Sequence, residues 1–296
     1  MKITNKLNLP NQLVKAVESD YQYRDKRYSI TSLLNSDREL MLKRRHHNEI
    51  EQDVSEMIWM LWGNGVHLAL ENIELEMGQF AENKMEVTVS IVKNGELLTY
   101  TLSGIVDYID NIKCVISDYK STSVWSIIYG SNNDKWLKQL QMSAYLWANN
   151  GGKWISKGTI IAFLKDWKKR DAEQNQDYPN LPVQVIEFDL GTYEEVEKWI
   201  VSKFERIAEL ENILDIELPL CSLEERFNSG DKYAIKKKAN KRASKVHDTL
   251  EQAEEHLKAL EVNYRGLYEI ELRKGEDKKC KDYCSVNKFC DYYNGR

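Results

Sequence analysis

Hydrophobic residues recur along this chain with two periods, and their order predicts its architecture. Between residues 53 and 74, Val54, Ile58, Leu61, Leu68 and Leu70 keep a helical spacing, with a break or bend expected around Gly63 and Gly65. Runs at 85–93 and 97–110 read as strands joined by Asn94-Gly95, a pair that favours a tight hairpin turn. A third run, 113–120, is short and β-branched, and Cys114 inside it reads as a small buried hydrophobe. Helical spacing returns over 134–149 through Leu137, Leu140, Ala144 and Leu146, and stops at the Asn-Asn-Gly-Gly of 149–152. Strands are expected at 158–167 and 183–190. A long amphipathic helix follows over 192–214, with Val196, Ile200, Phe204, Ile207 and Leu214 at helical spacing and Glu194 and Glu195 in its first turn. The first fifty residues alternate short helical patterns with polar turns, with an N-cap expected within 28–34.

This succession predicts an α/β chain, a mixed sheet flanked by helices. Three regions are expected: an N-terminal helical segment over 1–52 packed on the core, a core over 53–215, and a basic, Cys-rich region over 216–296.

Composition narrows the function classes. Lys plus Arg number 42 against 47 Asp plus Glu, a net charge of −5, which excludes a wholly basic nucleic-acid binder but not a local basic groove. Nothing approaches the ~18 uninterrupted apolar residues of a membrane span. The opening MKITNKLNLPNQ lacks the apolar core of a secretory signal, so a cytoplasmic location is expected. Five cysteines in 296 residues do not make a disulfide scaffold. With no Gly-x4-Gly-Lys-Ser/Thr run, no ATP-driven motor is expected.

The chemistry concentrates on two neighbouring strands. Asp107 ends Gly104-Ile105-Val106-Asp107, and Asp118 opens Asp118-Tyr119-Lys120. If the strands pair, both carboxylates project into one pocket, where two hard oxygen ligands suit Mg²⁺ or Mn²⁺. Lys120 shares the face of Asp118 by the strand period of two, and a cation there can orient a water and stabilise charge building on phosphate. An alternating edge strand with solvated ends is the plain alternative.

The neighbouring helices carry matching pieces. Gly63 to His67 reads Gly-x-x-x-His, with Glu71 four residues after the histidine, and Gln141 to Tyr145 reads Gln-x-x-x-Tyr on the helix after the Asp-Tyr-Lys strand. Together with Gly-x-x-Asp and Asp-x-Lys, in this order, these motifs resemble the RecB-like branch of the PD-(D/E)XK nuclease superfamily. The resemblance implies a restriction-endonuclease-like core and assigns roles. Asp107 and Asp118 would hold the divalent metal, with the Tyr119 carbonyl as a further ligand and His67 adding an imidazole. Lys120 would position the attacking water, while Gln141 and Tyr145 would brace the site or contact the scissile strand. Glu71, Glu82 and Glu86 are candidates for the family's acidic residue preceding the Asp strand.

Cys280, Cys284 and Cys290 form a Cys-x3-Cys-x5-Cys cluster, and Cys221 after Pro219-Leu220 offers a fourth ligand. Four thiolates favour Zn²⁺ or an iron–sulfur cluster, with unligated thiols as the alternative. Several RecB-like nucleases carry a four-cysteine iron–sulfur cluster that pins the C-terminus, so the resemblance favours 4Fe–4S over Zn²⁺. This chain departs from their usual Cys-x2-Cys-x5-Cys tail, and its fourth cysteine follows the core instead of preceding it. Residues 232–245 hold seven Lys or Arg in fourteen. Lys236, Lys237, Lys238, Lys241 and Arg242 there are either phosphate contacts or a solvated positive face.

The resemblance thus implies a metal-dependent deoxyribonuclease working from DNA ends in phage or bacterial recombination and repair. DNA is the expected partner, with a single-strand annealing or recombination protein as a further one. The alternative is a non-catalytic DNA-binding or scaffolding protein that keeps the fold and lacks Mn²⁺ affinity at the carboxylate pair. A redox protein built on the cysteines accounts for the tail alone.

Overall fold

The computed structural model describes residues 2–18, 23–264 and 266–295, with only the backbone at Glu261. The chain divides into two units, Met1–Leu218 and Pro219–Arg296. In order, the first unit runs β1 (Lys2–Thr4), α1 (Asn11–Val17), β2 (Arg27–Ser29), α2 (Ile30–Leu33), α3 (Asp37–Arg45), β3 (Glu51–Asp53), α4 (Val54–Glu71), β4 (Gln79–Lys93), β5 (Glu96–Asp110), β6 (Val115–Thr122), α5 (Val124–Ile128), α6 (Asn133–Asn149), β7 (Lys157–Leu164), α7 (Lys169–Gln174), β8 (Val183–Asp189) and α8 (Tyr193–Leu210).

Local chemistry accounts for these boundaries. Asn94 and Gly95 both take positive φ, 52° and 83°, the two left-handed residues of a hairpin turn whose twist suits the strands it joins. Helix α8 opens on a capping box, in which the Thr192 hydroxyl accepts from Glu195 N–H while the Glu195 carboxylate accepts from Thr192 N–H. It ends at Leu210, four residues earlier than its apolar spacing suggested, and Leu214 is exposed. Ser29 caps α2 by accepting from Ser32 N–H, within the expected segment.

Three sequence expectations need correction. The first 52 residues are not only helical, because β2 lies in the main sheet, parallel to β5, and β1 pairs with β3. Helix α4 runs uninterrupted through Gly63 and Gly65, where no atom lies within 4 Å of a would-be Cβ, so these glycines open its surface without ending it. Cys114 is exposed, with φ 53°, because it closes the turn between β5 and β6. Asp110 holds that turn by accepting from the N–H groups of Ile112 and Lys113.

The main sheet is mixed and six-stranded, in the order β2-β5-β6-β7-β8 with β4 also paired to β5. β4–β5, β5–β6 and β7–β8 are antiparallel, whereas β6–β7 is parallel. Helices flank it, so the unit is α/β. α6 and α8 supply much of the core, with Leu140, Met142, Leu146, Ile200 and Phe204 fully buried. Gly104 is required by this packing: a Cβ there would stand 2.5 Å from Ile30 and 3.1 Å from Leu146. The glycine of Gly-x-x-Asp therefore lets α2 and α6 close on β5.

In the second unit, β9 (Lys232–Lys237), β10 (Ala243–His247), α9 (Leu250–Tyr264), β11 (Tyr268–Arg273), α10 (Lys278–Asp282) and α11 (Asp291–Asn294) follow in turn. The sheet is antiparallel, β10-β9-β11, so the Lys-rich stretch is a hairpin. Among the described residues, no helix is long and apolar enough to cross a membrane.

Candidate active site

Strand register brings the acidic residues into a row. The β5–β6 ladder ends with Tyr108 opposite Ser117, so the next position outward sets Asp107 beside Asp118. There β6 leaves β5, and the Tyr119 N–H that would extend the ladder instead donates to Asp107 Oδ2 at 2.9 Å. On the other side of β5, Ala81 pairs with Tyr108 and Asn83 with Val106, which leaves Glu82 opposite Asp107. Glu82 takes φ 49°, a left-handed conformation uncommon for a non-glycine residue and more so within a strand. Its side chain reaches α4: His67 Nδ1 lies 3.0 Å from Glu82 Oε1 and 3.7 Å from Asp107 Oδ2. The ligand atoms of His67, Glu82 and Asp107 all fall within 4.8 Å of one another, the one such group of three among the described residues.

Asp118 completes the row. Its Oδ1 accepts from Gln139 Nε2 of α6. Lys120 Nζ stands 2.6 Å from Oδ2 as an ion pair but off hydrogen-bond alignment, so Oδ2 is buried with no aligned donor. Burial is the leading influence on both aspartates. It raises the Asp107 carboxyl above the usual range against the Tyr119 N–H, His67 and Lys120, and it pushes Asp118 up to about 6 despite Lys120. Two buried carboxylates side by side are under-compensated, and an imidazole nitrogen faces two carboxylate oxygens. A proton can occupy such a place, and so can a divalent cation. The donors, three carboxylates and an imidazole, are of a type that suits Mg²⁺ or Mn²⁺.

The three glutamates lie in different places. Glu82 joins the row, Glu86 pairs with Arg27, and Glu71 is exposed at the end of α4. Gln141 and Tyr145 do not meet the carboxylates. Gln141 donates to the Leu190 carbonyl at 3.0 Å, and buried Tyr145 stacks on Tyr193 and donates to Glu197. Gln139 stands in the place expected of Gln141. No sequence signal separates the two, because α6 is buried over Met142–Trp147 and the spacing fits either glutamine.

The basic stretch is divided by its own sheet. Lys236 is paired with Glu271 and lies 3.4 Å from Glu269 of the neighbouring β11, so its charge is spent within the unit. Lys237, Lys238, Lys241 and Arg242 are exposed at the hairpin tip. Among the cysteines, burial pushes the Cys280 thiol up to about 11, followed by Asp277 and then the charges of Cys284, Cys221 and Cys290. Among the described residues no three sulfurs lie within 4.8 Å of one another, the closeness one zinc ion demands.

Comparison with known proteins finds no matching family model and no matching curated protein. The chain is similar to a solved structure described as "Crystal structure of SSO0001", at 17% identity and TM-score 0.44, over 68% of this chain and 85% of that one. A likeness at that level carries no argument about function.

Proposed function

We propose that this chain is a metal-dependent deoxyribonuclease with a PD-(D/E)XK core of the RecB-like branch. The observation that carries the reading is the row Glu82, Asp107, Asp118 on three adjacent strands, with His67 at one end and Lys120 at the other. Glu82, Asp107, Asp118 and His67, with the Tyr119 carbonyl, would hold Mg²⁺ or Mn²⁺. Such an ion, when bound, polarises a phosphate oxygen and acidifies water.

The chain's own groups do the rest. Tyr119 N–H fixes Asp107, Gln139 fixes Asp118 Oδ1, and Asp118 Oδ2 faces Lys120 Nζ at 2.6 Å. Lys120, held by its ion pair with Asp118, would donate to the attacking water and offset charge on the pentacoordinate phosphorane-like transition state. Cys221, Cys280, Cys284 and Cys290 are proposed as ligands of an iron–sulfur cluster on the resemblance of the Cys-rich tail alone.

Incubating purified protein with linear and circular DNA in Mg²⁺ or Mn²⁺ tests this. Linear DNA should be degraded and circular DNA spared, with cleavage falling by about 10³-fold or more for Asp118→Asn and Lys120→Ala. Absence of cleavage by the wild type in both metals, or a Lys120→Ala protein with full turnover, would overturn the proposal.

A further inference from the structure

Beside the carboxylate row, helix α4 shows aromatic surface that the fold does not bury. Trp59 is 66% exposed and Trp62 61%, on a helix whose buried residues, Val54 and Met57, lie in its first turns. Trp59 lines a cleft of about 240 Å³ together with Gly63, Asn64, His67, Lys120 and Ser121. Trp59, Gly63 and His67 recur every four residues along α4, so the cleft runs about 12 Å along the helix, from the indole to the metal-facing imidazole. Gly63 keeps its floor open, since nothing stands within 4 Å of a would-be Cβ. Lys165 Nζ sits 4.5 Å from the centre of the Trp59 ring, over one face. Among the described residues lining the cleft there is no carboxylate.

We infer that this cleft is a subsite for an unpaired nucleotide, whose base stacks on Trp59 while its phosphates run past Lys165 and Lys120 toward His67. An indole beside two lysines matches a strand of alternating π-face and anion, the combination by which proteins hold single-stranded nucleic acid without reading sequence. A base within a duplex already stacks on its neighbours, so the occupant is single-stranded. The substrate would therefore be a frayed or unwound DNA end. The inference uses the nuclease reading for what happens to the strand afterwards; the stacking itself needs no metal.

The test is fluorescence anisotropy of a labelled oligo-thymidylate, and of the same strand with abasic sugars, both in EDTA so that the strand stays intact. Trp59→Ala should weaken oligo-thymidylate binding about ten-fold or more and leave the abasic strand within two-fold. Gly63→Leu, which fills the cleft while favouring the helix, should do the same without loss of thermal stability. Trp62→Ala, outside the cleft lining, should change little. Wild-type affinity in both Trp59→Ala and Gly63→Leu would overturn the subsite. So would self-association that depends on Trp59 while DNA affinity does not change. A wild type that binds the strand through Trp59 yet shows no Mn²⁺ affinity keeps the subsite and overturns the metal reading instead.

Discussion

The first unit sets Glu82, Asp107 and Asp118 side by side, with both aspartates buried and Asp118 Oδ2 lacking an aligned donor. The second concentrates lysines just as densely, but Lys236 is neutralised by Glu269 and Glu271, and Lys237, Lys238, Lys241 and Arg242 lie in solvent. Both regions look charged in sequence. In the sheet of the first unit, pairing puts like charges on adjacent strands, and Lys120 and His67 offset their burial only in part. In the second, acids pair with the half-buried Lys232 and Lys236, and the lysines and arginine of the hairpin tip stay hydrated. A buried charge cluster that is only partly compensated costs more stability than one that is paired or hydrated.

Breaking the proposed cysteine site should have the largest effect on folding. Structural thiolate metal sites contribute on the order of 10 kcal/mol in small domains. Cys284→Ser should therefore raise hydrogen exchange across residues 219–296 while the sheet of residues 2–218 keeps its protection. Unchanged exchange in the second unit would separate the cysteines from its stability. Anaerobically purified protein should be brown and contain iron, and stoichiometric zinc instead would correct the metal.

A smaller effect, opposite in sign, is expected at the carboxylate row. The Asp118 carboxyl is raised to about 6, above its unfolded value of about 3.9, so the folded state binds the proton more tightly. Its burial costs nothing below the unfolded value, the cost builds as pH rises from about 4 to about 6, and it levels off above. Asp118→Asn should stabilise the metal-free protein by a few kcal/mol at about pH 7.5 and by almost nothing at about pH 4. Thermal melts in EDTA at the two pH values measure this, and a variant less stable than wild type at neutral pH would contradict it.

The smallest effect sorts the lysines. Charge reversal at Lys237, Lys238, Lys241 or Arg242 should each reduce the slope of log affinity for DNA against log salt by about one unit. Lys236→Glu should leave that slope unchanged, because its charge already faces Glu269 and Glu271. Equal slopes for all five would make the hairpin tip a solvated face.

What the sequence revealed follows from how local each feature is. Asn94-Gly95 fixes its own turn, and Thr192 with Glu195 fixes the start of α8, so those boundaries were legible. The two aspartates were legible because strand period and adjacency suffice to bring them together. Glu82 was not, since its selection depends on the β4–β5 register and on a left-handed residue inside a strand. Gln139 and Gln141 differ by two positions on α6, and the helix's rotation, not the motif, decides which one meets Asp118. Lys236 looked like its neighbours until β11, more than thirty residues later, placed acids beside it. Cys114 shows the same limit, for a turn of a few residues moved it from strand to surface.

The central claim is that the carboxylate row holds a divalent metal, and Mn²⁺ titration calorimetry on the purified protein tests it most directly. Wild-type protein should bind Mn²⁺ with saturable heat, Asp107→Asn and Asp118→Asn should lose that heat while keeping their fold, and Glu71→Gln should bind like the wild type. Wild-type protein that takes up no Mn²⁺, or aspartate variants that bind it undiminished, would contradict the account.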